Sequence, residues 1–210
     1  MGFNMLFGRK KTLWQRHQKW IVSLGVVLLL GYGVNQYYEN YHQEKTLQAS
    51  ALYDKMIMEA RNPDKTKARE YAESLINTYP KTPYAALSAL FIAKFSIEKN
   101  ELEPAVNFLQ MAMEKEHESP IYYVAASRLA RIFAEQNKLE DALKLLESKK
   151  VPDDYVTLFE ETKGDIYLMQ NQTDKAKEAY KIAIQSAPPQ TPVMRLQLKF
   201  SDLGGTMEGS

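Results

Sequence analysis

Apolar residues between positions 39 and 203 recur at intervals of three and four, the spacing of one face of an α-helix. The alternation of apolar and polar residues that marks a β-strand is missing from this region. Turn signals rich in asparagine and proline interrupt the helical pattern at residues 62–64, 79–83, 99–101, 119–120, 136–138, 151–153, 170–172 and 187–189. The pattern predicts short helices that pack as successive hairpins.

Four segments of this region are versions of one unit. They read NPDKTKAREYAESLI (62–76), KNELEPAVNFLQMAM (99–113), QNKLEDALKLLES (136–148) and QNQTDKAKEAYKIAI (170–184). Their shared alanines, Ala68, Ala105, Ala142 and Ala176, are 37, 37 and 34 residues apart. A period of about 34 residues with two helices in each period is the signature of the tetratricopeptide repeat.

A second set of positions tests this repeat independently. Twelve residues before each alanine a small residue is expected, and the chain has Ala93, Ala130 and Gly164. Four residues after each alanine a larger residue is expected, and the chain has Leu109, Leu146 and Tyr180. The first unit fails both tests, with Met56 and Ala72. We therefore predict a degenerate first hairpin, as expected at the end of a repeat array.

The repeats predict an all-α protein with a tetratricopeptide-like α-solenoid of about four helical hairpins. The hairpins are expected at residues 45–79, 83–117, 119–150 and 153–187. A last helix is predicted over residues 191–203, with Val193, Leu196, Phe200 and Leu203 on one face. It should cap the last hairpin, and residues 204–210 are expected to form a disordered tail.

An uncharged segment, residues 20–38, precedes the repeats. Its 19 residues approach the roughly 20 that a helix needs to cross the hydrocarbon core. Lys19 is placed to reach the headgroups on one side. Aromatic residues suited to headgroup depth lie near both ends: Trp20, Tyr32, Tyr37, Tyr38 and Tyr41. We predict that this segment is an N-terminal single transmembrane helix that stays anchored in the lipid bilayer.

Two other interpretations of this segment remain. Its densest apolar part, residues 20–34, has the length of a signal peptide, but Gly31-Tyr32-Gly33 is a poor cleavage site. A buried helix of a soluble protein does not explain five basic residues on one flank, Arg9, Lys10, Lys11, Arg16 and Lys19. The positive-inside rule makes residues 1–19 a cytoplasmic tail and places residues 39–203 on the far side of the membrane, which is the periplasm if the source is a Gram-negative bacterium.

Charge and composition narrow the function. Residues after the predicted span carry 22 basic and 26 acidic groups, a net charge of −4, which argues against nucleic acid as a partner. The chain has no cysteine, which excludes disulfides, thiolate metal sites and a cysteine nucleophile.

Motifs of enzymes are also missing from the sequence. His17, His42 and His117 have no partner at metal-binding or catalytic spacing, and neither a phosphate-binding loop nor a serine-nucleophile motif occurs. We therefore predict a protein that is not an enzyme and that needs no cofactor and no metal.

The solenoid instead predicts a concave binding surface, formed by the first helix of each hairpin. By the geometry of the repeat, its exposed positions are Leu87, Leu90, Lys94, Ser127, Arg131, Leu158, Glu161, Asp165 and Leu168. The lining is apolar with both signs of charge, so weak and broad contact with extended chains or a folded partner is expected. Alternatively, individual residues of this set only face solvent.

Taken together, these segments resemble the bacterial ancillary SecYEG translocon subunit (YfgM-like) family. The matching stretches are ASALYDKMI, INTYPKTPYAALSALFIAKFSIEKNELEPAVNFLQ, SRLARIFAEQNKLEDALKLLE and KGDIYLMQNQTDKAKEAYKIAI. The tail MGFNMLFGRKKTLWQRHQKW departs from the more acidic start that is usual in that family.

The resemblance implies an inner-membrane scaffold that associates with the SecYEG translocon. It also implies pairing with a membrane-anchored periplasmic chaperone (PpiD-like) and help in passing exported client proteins to periplasmic chaperones. An alternative is an adaptor that organises another envelope assembly, in cell division or outer-membrane biogenesis. A third possibility is a soluble periplasmic enzyme or carrier released by cleavage after Gly33.

Overall fold

The computed structural model describes residues 8–116 and 119–206, without the side chains of residues 8–22 and 25–27. Within these ranges the chain is entirely helical outside its turns. The helices are α1 (Gly8–Glu59), α2 (Thr66–Thr78), α3 (Pro83–Glu98), α4 (Leu102–Lys115), α5 (Pro120–Glu135), α6 (Leu139–Glu147), α7 (Asp153–Met169), α8 (Thr173–Gln185) and α9 (Met194–Asp202).

The first helix is longer than predicted. It runs for 52 residues and joins the predicted span to the first helix of the first hairpin. No proline occurs in it, and residues 39–48 contain no glycine either, so nothing in the sequence ends the helix there. Residues 1–7 of the predicted cytoplasmic tail, and the side chains at 20–22 and 25–27 of the predicted span, lie outside the described residues.

Among the residues that the structure describes, no helix has an apolar stretch long enough to cross a membrane.

The chain divides into two compact units, Met1–Gln48 and Ala49–Ser210. In the first unit, the described apolar side chains of α1 are exposed, for example Leu29 at 73%. The second unit contains the end of α1 and all other helices, and it has its own core.

The second unit is built of four hairpins and a last helix, as the sequence predicts. The hairpins pair the end of α1 with α2, α3 with α4, α5 with α6, and α7 with α8. Each connection is short because the turn signals lie directly between the helices. Helix α9 packs on α8 through Leu196 and Phe200, which are buried beside the partly buried Val193 and Leu203, so its predicted inner face is confirmed.

The core is a row of clusters that are shared between neighbouring hairpins. The cluster of the second hairpin extends into α5 through Ala125 and Leu129, and the cluster of the third extends into α7 through Phe159 and Ile166. The four repeat alanines, Ala68, Ala105, Ala142 and Ala176, are all fully buried. Since each hairpin completes the core of its neighbour, the row behaves as one solenoid.

In the first hairpin the large and the small packing residue have exchanged helices. Met56 and Ala72, which fail the two positional tests, are both fully buried in the cluster that also contains Ala68. Here the large residue comes from the first helix and the small one from the second, the reverse of Ala93 with Leu109. In the last hairpin the smallest residue, Gly164, faces the largest, Tyr180. The first hairpin is therefore an inverted unit with its own buried cluster.

Three hairpin turns share one local structure. Asn100, Asn137 and Asn171 adopt left-handed conformations with φ of 61°, 61° and 59°. In each case the amide of the following residue donates to a carbonyl five residues earlier at 2.8 Å, which is the Schellman ending of a helix. Asparagine tolerates this conformation better than other side chains, which explains its recurrence.

Replacing Asn137 by alanine is expected to lower the free energy of unfolding by about 1 kcal/mol, because alanine is strained in the left-handed region. Replacing it by glycine should leave stability unchanged or raise it slightly, since glycine adopts this conformation freely. Thermal unfolding followed by circular dichroism compares the two variants with the wild type. Equal melting temperatures for the alanine and glycine variants would contradict the account of this turn.

Helix α9 ends in the same way on a glycine. Gly204 has a φ of 72°, and the amide of Gly205 donates to the carbonyl of Phe200 at 3.0 Å. A Cβ atom at Gly205 would collide with the Phe200 ring. The first residues of the predicted tail thus cap α9, while residues 207–210 lie outside the described residues.

Candidate functional site

Helices α3, α5 and α7 are the first helices of successive hairpins and pack side by side. Helices α5 and α7 are also joined by a buried hydrogen bond of 2.9 Å between Ser127 and Thr162. The predicted concave surface lies along these helices. The structure places its residues in three different environments.

On α3 the predicted residues are accessible. Leu87 and Leu90 are half-buried, and Leu90 also packs against the core cluster of the second hairpin. Lys94 is exposed and lies 3.8 Å from Glu98 in a long ion pair. This part of the surface offers apolar area with an exposed positive charge beside it.

On α5 the two predicted residues differ. Ser127 is buried between α5 and α7, so it belongs to a helix–helix contact and not to an open surface. Arg131 is half-buried, and its Nη2 donates to Thr162 Oγ1 over a long 3.4 Å. Thr162 in turn donates to the carbonyl of Leu158 at 2.8 Å.

On α7 the two predicted carboxylates form ion pairs with the last helix. Glu161 is buried and accepts from Arg195 Nη2 at 2.6 Å and from Lys199 Nζ at 3.1 Å. Asp165 accepts from Lys199 at 2.6 Å and from the Tyr180 hydroxyl at 2.7 Å. Helix α9 is therefore held to α7 by ion pairs and to α8 by apolar contacts.

Tyr180 takes part in these contacts through its hydrogen bond to Asp165. Its ring is fully buried against Gly164, and burial, followed by its hydrogen bond to the Asp165 carboxylate, raises the pKa of its hydroxyl far above the usual range. The phenol therefore stays protonated and donates to Asp165 at every physiological pH.

The remaining predicted residues on α7 keep some accessible surface. Leu158 is half-buried and packs against the core cluster of the third hairpin, whereas Leu168 is 36% exposed near the end of the helix. The predicted residues that retain accessible surface are thus Leu87, Leu90, Lys94, Arg131, Leu158, Asp165 and Leu168. Ser127 and Glu161 are buried in contacts between helices.

Arg128 is not among the residues predicted from the repeat geometry, but it lies three positions before Arg131. Arg128 is half-buried on α5, and burial followed by the positive charge of Arg131 lowers the pKa of its guanidinium. The signal was present in the sequence, since basic residues three apart on one helix share a face.

Among the described side chains, no group of histidine, aspartate and glutamate residues is arranged to hold a metal ion. What the described surface offers is apolar area from α3 and α7 on either side of two arginines on α5.

Comparison with known proteins agrees with the repeat architecture. The family described as "Tetratricopeptide repeat-like domain" matches residues 11–205. Three relatives are each named ancillary SecYEG translocon subunit. The one from Neisseria gonorrhoeae (strain ATCC 700825 / FA 1090) is 28% identical over 196 residues, covering 92% of this chain and 93% of that protein.

The relative from Escherichia coli (strain K12) is 25% identical over 182 residues, covering 87% of each chain. The relative from Buchnera aphidicola subsp. Schizaphis graminum (strain Sg) is 30% identical over 139 residues, covering 66% of this chain and 71% of that protein. The similarity thus extends through nearly the whole length and is not confined to one repeat.

Proposed function

This chain belongs to the tetratricopeptide repeat-like family that includes the ancillary SecYEG translocon subunits, and from that premise we propose that it is a non-enzymatic scaffold of the Sec translocon. The observation that carries the proposal is the 28% identity to a subunit of that name over 92% of this chain. A solenoid supports it physically, because its concave surface offers binding area without catalytic groups.

We propose further that the scaffold is anchored in the inner membrane by residues 20–38, with the repeats in the periplasm. Support comes from the uncharged sequence of this segment and from its bare side chains, such as Leu28 and Leu30, which are 65% and 64% exposed. Exposed leucines in such number are unfavourable in water and favourable in lipid. The five basic residues before the segment favour a cytoplasmic N-terminus.

The accessible concave residues suit a partner chain. Half-buried leucines on α3 and α7 supply apolar contact, and the arginines between them supply charge. We propose that a membrane-anchored periplasmic chaperone of the PpiD-like kind and exported client proteins dock here. Anchoring near the translocon raises the effective concentration of each partner, so contacts that are individually weak suffice.

The full chain, tagged and purified from detergent-solubilised membranes, is expected to carry SecYEG and the chaperone with it. Replacing Leu87 by glutamate should lower the recovered chaperone about tenfold, because a charge would then occupy an apolar contact. Leu87 tests the surface better than Leu158, since Leu158 also packs against the core. Met58, 69% exposed on the first hairpin, provides the matched control for glutamate substitution.

Carbonate extraction of the same membranes tests the anchor. A full-length mass in the membrane pellet is expected. A protein that starts at Val34 in the soluble fraction contradicts the anchor, and recovery of other envelope proteins in place of SecYEG contradicts the translocon scaffold. A normal chaperone yield from a folded Leu87→Glu variant would show that the chaperone docks elsewhere.

A further inference from the structure

The outer face of helix α9 is apolar where the end of a repeat array is normally polar. The last element of an array has no neighbour, so a polar outer face keeps it soluble. Helix α9 packs on α8 through Leu196 and Phe200. On its opposite side it exposes Met194 and Leu198, at 73% and 58%. The contact with α8 therefore uses only one of two apolar faces.

Exposed large apolar side chains of the second unit belong to the two ends of the array. Among the side chains that the structure describes they are Ile57, Met58, Leu168, Met169, Met194 and Leu198. The first two lie on the first hairpin, and the other four lie on the last hairpin and α9. Apolar surface that is concentrated where the row of hairpins stops is typical of a contact between proteins.

Two opposite charges border the exposed face of α9. Arg195 and Asp202 are seven residues apart, or two turns, so they lie on the same edge of this face with Leu198 about halfway between them. The side chain of Asp202 is exposed and has no hydrogen-bond or ion-pair partner among the described residues. Arg195 donates to Glu161 but is itself 68% exposed, so it retains donors for a second carboxylate.

The position of Asp202 is unfavourable in a single copy. It is the last residue of α9, where the negative end of the helix dipole repels a carboxylate. A cation from another molecule relieves this repulsion. When two identical helices pack antiparallel about Leu198, a two-fold axis brings Arg195 of each copy to Asp202 of the other, so the charges complement each other twice.

We propose that helix α9 is a self-association surface, on which α9 of a second copy of this chain packs antiparallel with Leu198 at the two-fold axis. The inference goes beyond the scaffold function and does not depend on it. A helix of nine residues buries less than the roughly 1,200–2,000 Å² of a stable complex, so the pairing is expected to be reversible.

The chain has no cysteine, so a single introduced cysteine can form a disulfide only with its counterpart in another copy. The full chain with Leu198→Cys is purified in detergent micelles and oxidised, and the linked dimer is measured on a non-reducing gel. Met58→Cys is the matched control, because Met58 is similarly exposed at the other end of the array. Leu198→Cys is expected to give at least about tenfold more linked dimer than the control.

Charge variants in the Leu198→Cys chain test the antiparallel register. Asp202→Lys should lower the yield of linked dimer at least about fivefold, because Arg195 of the other copy then faces a cation, and Asp202→Asn should lower it less. Glu178→Lys reverses the same charge at an exposed position of α8 and should change the yield by less than about twofold.

Thermal unfolding separates this role of Asp202 from a structural one. The melting temperature of Asp202→Lys should equal or exceed that of the wild type, because a cation suits the last turn of a helix. A carboxylate that stabilises α9 within one copy predicts a lower melting temperature and an unchanged yield of linked dimer.

Equal yields from Leu198→Cys and Met58→Cys would overturn the proposal, since they would show only random collisions in the micelle. A disulfide between the two cysteine chains in a mixture would also overturn it, because it would show a head-to-tail contact that continues into open filaments. A yield that Asp202→Lys leaves undiminished would contradict the antiparallel pairing.

Discussion

Replacing Gly164 by alanine should lower the free energy of unfolding by about 1–3 kcal/mol, although alanine is the better helix former. The added Cβ would lie 2.7 Å from Cδ1 of Tyr180, well inside van der Waals contact. The ring cannot move aside, because it is fully buried and its hydroxyl is tied to Asp165. Thermal unfolding of the full chain in detergent measures the loss.

A double-mutant cycle shows whether the collision is with the ring. Tyr180→Leu alone leaves a cavity and should cost about 2–4 kcal/mol. The double variant reproduces the alanine–leucine combination of Ala130 and Leu146, so the added methyl group occupies part of the vacated space. Its cost should be smaller than the sum of the single costs by about 1 kcal/mol or more. Strict additivity would show that Gly164 is required for another reason.

Replacing Lys199 by methionine should destabilise the last hairpin by about 2–3 kcal/mol, less than a fully buried ion pair because Asp165 is partly exposed. Methionine keeps the apolar stem but removes the charge that lies between Glu161 and Asp165. Glu161, whose side chain is 8% exposed, then keeps only Arg195. Faster hydrogen exchange in α9, measured by mass spectrometry, should accompany the lower melting temperature.

Lys181 on α8 provides the control, since it is exposed and Lys181→Met removes the same charge from the same hairpin. Its melting temperature should match that of the wild type. Adding Glu161→Gln and Asp165→Asn to Lys199→Met should restore much of the stability, because no carboxylate then remains without a counter-charge. If the triple variant is less stable than Lys199→Met, charge is not what holds α9.

Most of the architecture follows from short-range pattern. Alanines that recur every 34 to 37 residues mark the crossing of paired helices, and asparagine-containing turns mark their ends, so the hairpin boundaries are predicted to within a few residues. Both signals are local, because Asn100, Asn137 and Asn171 each act on the helix directly before them. The repeat also places the first helices side by side.

What the pattern misses involves residues far apart in the chain. Lys199 forms an ion pair with Asp165, which is 34 residues away in the chain, and nothing in the sequence of either segment indicates this pair. The sequence therefore predicts Glu161 as an open groove position although it is buried against α9, and it does not predict the ion pair of the partly exposed Asp165. The continuity of α1 was missed for another reason, since the change from apolar to polar composition near residue 39 does not itself end a helix.

The candidate surface was predicted by position alone, and position does not reveal whether a side chain has a partner. The enclosed Nε of Arg131 and the half-buried Arg128 beside it become visible only in the contacts of the structure. The identity of the partner stays a proposal, because a predicted surface of leucines and charged residues does not specify a particular protein.

The inverted volumes of Met56 and Ala72 also constrain how such an array changes over time. If the four hairpins arose by duplication of one unit, the ancestor had one arrangement of large and small residues, and at least one hairpin has since reversed it. Either single replacement passes through an overfilled or hollow core, at about 1–5 kcal/mol. A marginally stable protein tolerates such a step poorly. The order in which the two positions can be substituted is therefore restricted. A hairpin copied to another place in the array would not match the side-chain volumes of its new neighbours.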